Sequence, residues 1–207
     1  MSNQPSFSLS AQRSILVRQK LELGEFVGFE TRNKYAIESD SGEALAFAAE
    51  QQKSWWAFLV RQYLGHWREF SVFFFDANRN QFMTAHHPFR IFFQYLEVRA
   101  LDGRLIGALQ QKFSLLHKVF DVLDGEGNLL MTVNSPIWRP WTFPFQKQGQ
   151  TVATIVKQWS GALAEMLTDK DTFKVEFSDA NLGEDERLIL LAASVFIDLQ
   201  YFEAKAR

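Results

Sequence analysis

Three stretches of the chain set large aromatic side chains beside cations, and that combination has a physical use. The first is Trp55-Trp56-Ala57-Phe58-Leu59, followed by Tyr63 and Trp67. The second is Pro88-Phe89-Arg90-Ile91-Phe92-Phe93. The third runs from Pro136 to Phe145 and carries Trp138, Arg139 and Trp141. Trp and Tyr favour a membrane boundary because one end of the ring system is apolar and the other polar. Lys53, Arg61, Arg68, Arg90 and Arg139 stand among them. An aromatic face flanked by cations suits an anionic lipid surface. The competing reading is that these aromatics cap and fill the ends of the fold, the common fate of an aromatic stripe at helical spacing.

Polar chemistry is scarcer. The histidines are His66, His86, His87 and His117. The adjacent pair, placed in a strand, points to opposite faces, which suits neither a shared metal nor a triad. The chain has no HExxH, no GxSxG and no phosphate-cradling glycine loop. Carboxylates are plentiful, but no spacing singles out an acid/base pair, so no conventional enzyme site is expected. With no cysteine, disulfides, thiolate metal sites, a Cys nucleophile and S-palmitoylation are all excluded. The formal charge of -2, without a long basic run, argues against nucleic-acid binding.

What positions these residues is a series of hairpins. Apolar or alternating runs lead into turns rich in Asp, Asn and Gly at 39–42, 76–80, 101–103 and 124–128, and a second run returns each time. Leu16 to Leu23 and Gly24 to Thr31 read as a further strand pair, and 151–158 and 173–177 as more strands. Serial hairpins imply an antiparallel sandwich or closed barrel. Two segments read as helices. Gln51 to Phe70 has an amphipathic period, strongest near 51–68. Glu184 to Glu203 opens on acidic residues suited to the positive end of a helix dipole and is apolar nearly all round through Ile197. Such a helix is buried, so Leu190, Leu191, Phe196 and Ile197 are expected inside. Its uncharged run, 188–197, is too short to cross a bilayer, which takes about 20 apolar residues. Asp198, which bounds that run on the helix, requires a partner, near the helix end or on a strand. The first 14 residues read as a disordered tail and 15–204 as one soluble, mainly β domain holding the buried helix 184–203.

Several segments, in order, resemble the phospholipid scramblase family of the tubby-like, LURP-one-related superfamily. They are Leu16 to Leu23, Gly28 to Thr31, Tyr35 to Ile37, Phe47 to Glu50, Ile155 to Gly161, Thr168 to Phe173 and Ile197 to Glu203. The resemblance runs from about Arg13 to Glu203. It implies a closed antiparallel barrel of about twelve strands around a central C-terminal helix. It also implies peripheral association with anionic phospholipid at the cytoplasmic, inner face of the plasma membrane, and calcium-dependent transbilayer lipid movement.

The resemblance places a calcium segment at Asp169, Asp171, Phe173 and Glu176. Calcium takes six to eight oxygens, and Lys174 and Ala180 replace the family's glycine and closing aspartate there. The alternative is a solvated turn leading into a strand. The family's cysteine clusters are missing, so acylation cannot anchor this chain. The lipid-contact set expected in its place is Trp55, Trp56, Phe58, Leu59, Trp67, Arg90, Phe92, Trp138, Arg139 and Trp141. A helix-plugged barrel offers no polar path across about 30 Å of hydrocarbon, so scrambling would require oligomerisation or local disruption of the bilayer. The alternative function is a non-scrambling module that binds lipid, phosphoinositide or protein, with Arg18, Lys20, Arg32 and Lys34 as a candidate basic cavity.

Overall fold

The computed structural model describes residues 7–20, 31–51, 69–158 and 169–202. Twelve antiparallel strands follow one another around a closed barrel, each paired with its neighbours in sequence. They are β1 (Ser14–Lys20), β2 (Thr31–Ser39), β3 (Ala44–Gln51), β4 (Phe70–Asp76), β5 (Gln81–His87), β6 (Tyr95–Ala100), β7 (Leu105–Lys112), β8 (His117–Asp124), β9 (Leu129–Pro136), β10 (Thr142–Lys147), β11 (Gln150–Gln158) and β12 (Asp169–Phe177). An even number of strands lets the last return antiparallel to the first, and β1 closes on β12 through pairs such as Ile15↔Val175 and Val17↔Phe173. Helix α1 (Glu184–Tyr201) fills the interior.

Alternation decides what faces the helix. Ile15, Val17, Tyr35, Ile37, Val98, Val122 and Val175 point inward and are buried. On β1, β2, β6 and β12 some of the outward residues carry charge and pair along the outside: Arg18 with Glu38, Arg99 with Glu97 and Lys174 with Glu176, each at 2.9 Å. Among the described residues, no helix is long and apolar enough to cross a membrane.

The turns follow their chemistry closely. In four hairpins the fourth residue of the turn adopts positive φ: Gly42 (83°), Arg79 (67°), Gly103 (86°) and Gly127 (89°). Each donates its N–H back to the last strand residue, as Arg79 does to the Asp76 carbonyl at 2.9 Å. This is a type I turn followed by a left-handed residue. Asp76 and Asp124 stitch their turns in the same way, each accepting from two backbone N–H groups and from the following Asn side chain.

The β9–β10 seam is the short one, limited to Phe145↔Val133 and Gln146↔Thr132. Pro144 has no N–H to donate, and it lies just before this paired stretch. Gly107 on β7 serves packing: a Cβ there would run into the Leu123 carbonyl and the Ile189 side chain of α1.

One sequence expectation changes. Residues 7–13 are not a loose tail. Leu9 is fully buried, Phe7 stacks on Phe82 at 4.1 Å, and the segment is tied to the start of α1. The described partner of β1 is β2 at 31–39, with Val17 opposite Ile37; the expected strand at 24–31 lies, up to residue 30, outside the described residues. The expected amphipathic helix near 51–68 lies outside the described residues.

Candidate functional site

Strand direction gives the barrel two unlike ends. The tight turns and the start of α1 lie at one. At the other, which we call the mouth, α1 ends among loops of four residues or more. Three of those loops are described: 88–94 between β5 and β6, 113–116 between β7 and β8, and 137–141 between β9 and β10.

These loops carry nearly all the exposed large apolar side chains among the described residues. Only Leu101 and Leu129, at the opposite end, fall outside them. Leu115 is 82% exposed, Phe92 76%, Phe113 73% and Trp138 65%, with Phe89, Ile91, Phe93, Leu116, Ile137 and Trp141 also in water. Single exposed apolar residues are ordinary, whereas a grouping of this kind makes the rim a candidate interaction surface. Arg90 and Arg139 are exposed within the same loops. Arg90 lies 5.0 Å over the Tyr95 ring, and burial, reinforced by Glu97, raises the pKa of that phenol.

Beneath the rim the interior changes character. The barrel is apolar along most of α1, but the mouth holds a layer of buried polar groups. Gln19 donates to Asn33 at 2.9 Å, and Asn33 donates to Glu50 at 2.6 Å. The Tyr35 hydroxyl donates to the carboxylate of Asp198 at 2.8 Å, so the acid on the helix meets a strand donor. Leu190, Leu191, Phe196 and Ile197 are buried around the same helix. His87 is fully buried, in contact with Phe70 and Phe196, and its Nδ1 lies 2.6 Å from the Tyr95 carbonyl. At the end of α1 the Lys118 ammonium sits 4.1 Å over Tyr201, and Lys157 sits 4.3 Å over Phe202. Cations there oppose the negative end of the helix dipole. Burial pushes the Tyr201 phenol well above its usual range.

The aromatic stretch 136–145 divides between surface and core. Trp138 and Trp141 are on the rim, while Phe143 and Phe145 point inward from β10 and are fully buried. Arg90, Phe92, Trp138, Arg139 and Trp141 therefore gather at one end. Trp55, Trp56, Phe58, Leu59 and Trp67 lie outside the described residues. Phe113, Leu115 and Leu116 complete the rim without having stood out in the sequence, because their short loop contains neither Trp nor Tyr.

The other expected sets are placed differently. Asp169 to Phe177 runs as strand β12, with Phe173 and Phe177 buried inward. The Glu176 carboxylate pairs with Lys174 and raises the pKa of that ammonium. The side chains of Asp169 and Asp171 lie outside the description. Among the described residues, no cluster of three His, Asp or Glu groups is positioned to hold a metal. Of the candidate basic set, Lys20 and Lys34 are directly opposite on the outer face of β1 and β2, Arg18 pairs with Glu38, and the Arg32 side chain is not described.

A helix-filled interior and a rim of exposed apolar side chains at one end define a helix-plugged antiparallel barrel. The chain belongs to the Scramblase family, whose family model matches residues 1–204. It is 31% identical to phospholipid scramblase 1 of Mus musculus, over 91% of this chain and 61% of that protein. It is 27% identical to phospholipid scramblase 1 of Homo sapiens, over 95% of this chain and 65% of that protein. The chain thus spans about three fifths of the length of these relatives. The X-ray structure of a protein from Arabidopsis thaliana aligns over 95% of this chain and 94% of its own, with a TM-score of 0.47 at 11% identity.

Proposed function

We propose that this chain is a peripheral membrane protein that docks on anionic phospholipid through the mouth of its barrel. The observation that carries the reading is the concentration of exposed apolar side chains in three consecutive mouth loops, with Arg90 and Arg139 among them. Apolar insertion and cationic attraction add to one another at an anionic surface. The relatives named as phospholipid scramblases supply the lipid class. An interior occupied by α1 favours lipid movement, where it occurs, by perturbation of the bilayer at the rim rather than by passage through the barrel.

Vesicle co-sedimentation tests this. Leu115→Glu/Trp138→Glu on the rim is expected to weaken binding to phosphatidylserine-containing vesicles by about 100-fold or more, since burial of one such side chain contributes about 1.5–3 kcal/mol. Leu101→Glu/Leu129→Glu at the opposite end is expected to leave binding unchanged. Equal binding by both folded variants would remove the rim from the interface. The same vesicles, with a quenchable fluorescent lipid and with or without millimolar calcium, separate docking from scrambling. Binding without loss of leaflet asymmetry identifies a lipid-binding module.

A further inference from the structure

One part of the mouth has more shape than docking requires. A groove of about 440 Å³ opens between loop 88–94, the end of β7 and the last turn of α1. Small-molecule sites occupy roughly 300–1,000 Å³, so the groove is large enough to hold a ligand rather than only touch a surface. Phe92, Phe93 and Phe113 form an apolar side. Gln94, Gln111 and Gln200 form a polar one.

The three amides are held in fixed orientations. The Gln94 N–H donates to Gln111 Oε1 at 3.0 Å, and the Gln111 N–H donates to the Gln94 carbonyl at 2.8 Å. Gln200 Nε2 donates to Gln94 Oε1 at 2.9 Å and approaches His87 Nε2 at 3.1 Å. With Nδ1 of His87 against the Tyr95 carbonyl, the proton belongs on Nδ1, and Nε2 accepts from Gln200. The side-chain oxygens of Gln94 and Gln111 are therefore in use as acceptors. The Nε2 groups of the same two residues make no hydrogen bond to protein among the described residues and remain as donors.

Phe93 adds a third observation. Its φ of 54° is in the left-handed region, which costs a residue with a Cβ about 1–2 kcal/mol. The hydrogen bonds of Gln94 and Gln111 hold the loop immediately after it. Backbone strain over-determined in this way collects at ligand sites.

A molecule that matches these features is apolar along one side and carries several oxygen acceptors on the other. We propose that the groove takes one phospholipid molecule, an acyl chain lying along Phe92, Phe93 and Phe113 and its ester and phosphate oxygens accepting from Gln94 and Gln111. Lys112, at the edge of the groove and paired with Asp121 at 3.0 Å, supplies a cation close to where the phosphate lies. The inference rests on the docking reading, because docking brings the lipid to the groove.

The test uses the full chain and dihexanoylphosphatidylserine below its micelle concentration, titrated by calorimetry, alongside vesicle co-sedimentation. Gln111→Glu keeps the oxygen that accepts from the Gln94 N–H and replaces the Nε2 donor with a second acceptor. Monomeric lipid is expected to bind the parent chain, and Gln111→Glu is expected to bind it about tenfold more weakly. Leu115→Glu/Trp138→Glu should retain monomer binding while losing vesicles. Hexanoate titrated in parallel distinguishes a phospholipid site from a site for any acyl chain, and equal affinity for hexanoate overturns the assignment. Vesicle binding without monomer binding also overturns the groove and leaves docking intact, as does unchanged monomer binding by Gln111→Glu. Monomer binding without vesicle binding keeps the groove and removes the docking reading. Failure of the parent chain in both assays removes both.

Discussion

The two ends of the barrel solve opposite problems with the same strands. At the turn end the chain reverses in the fewest residues, and the turns are bound by their own side chains. The start of α1 is tied to three separate elements. Glu184 accepts from the Leu9 N–H at 2.7 Å and from Ser8, Asp185 pairs with Arg104 at 2.8 Å, and Glu186 pairs with Lys147. Glu186 also accepts from the Gly183 N–H at 2.8 Å, closing the first turn of the helix. At the mouth, α1 ends with no basic residue in its last turn. It is held by rings, by lysines lying over those rings and by amides. One end is fastened by directional polar bonds, and the other exposes apolar surface. Under the proposed docking, the difference separates stability from binding along the barrel axis, and each is then expected to change without the other.

The largest expected effect breaks the turn end. The buried Arg187 guanidinium donates to the carbonyls of Leu182 (3.1 Å), Leu9 (3.2 Å) and Gln12 (2.7 Å) and lies over the Phe177 ring. Arg187→Ala leaves those carbonyls without their charged donor and should cost about 3 kcal/mol. Urea denaturation should show the loss, while vesicle affinity of the remaining folded protein stays unchanged. A parallel loss of vesicle affinity would mean that the two ends are coupled.

A smaller effect sharpens the account of the mouth. Burial keeps the Tyr201 phenol protonated in the folded chain, whereas an unfolded tyrosine ionises near pH 10. Above about pH 10 the unfolded state releases a proton that the folded state retains, so stability falls as pH rises; below about pH 10 this contribution is fully present. Tyr201→Phe should flatten that alkaline decline in urea melts recorded between roughly pH 9 and 11.5. An unaltered slope would show that Tyr201 does not govern the mouth's alkaline limit.

The smallest effect lies at the turn end. Arg79 occupies a left-handed position that glycine fills in the three sister turns. Arg79→Gly relieves about 1–2 kcal/mol of strain and gives back about 0.4–1 kcal/mol to the freer unfolded chain. A net gain of about 0.5–1 kcal/mol is expected, visible as a small rise in the denaturation midpoint. No gain would mean that the arginine's own contacts at the turn offset its strain.

Legibility in the sequence followed how local each cause is. Asp124-Gly-Glu-Gly-Asn128 declares its turn because the bonds that make it join neighbouring residues. The burial of α1 was readable because a helix apolar on every side has few other places to go. Loop 88–94 and the tryptophans at 138 and 141 were marked by composition. What composition could not say was which aromatics face out: Phe143 and Phe145 belong to a strand with period two, and its register is set by β11 through pairs such as Phe143↔Ile155. The anchored segment 7–13 was hidden because Arg187 grips its backbone carbonyls, which every sequence possesses. The amide floor of the groove joins β5, loop 88–94, β7 and α1, and only the closed fold brings them together.

The order of these elements along the chain also governs how the molecule is made. The helix that supplies the centre of the core follows all twelve strands, and the strand that closes the cylinder pairs Ser14 with Glu176. During synthesis the early hairpins have nothing to wrap around until α1 emerges, so the fold completes only after nearly all of the described chain is available. Long-range closure of this kind is slow and leaves strand edges open while it waits. Charged side chains on such strands, like Arg18, Glu97, Arg99 and Lys174, discourage edge pairing between chains, so they bear on the nascent chain as well as on the finished barrel.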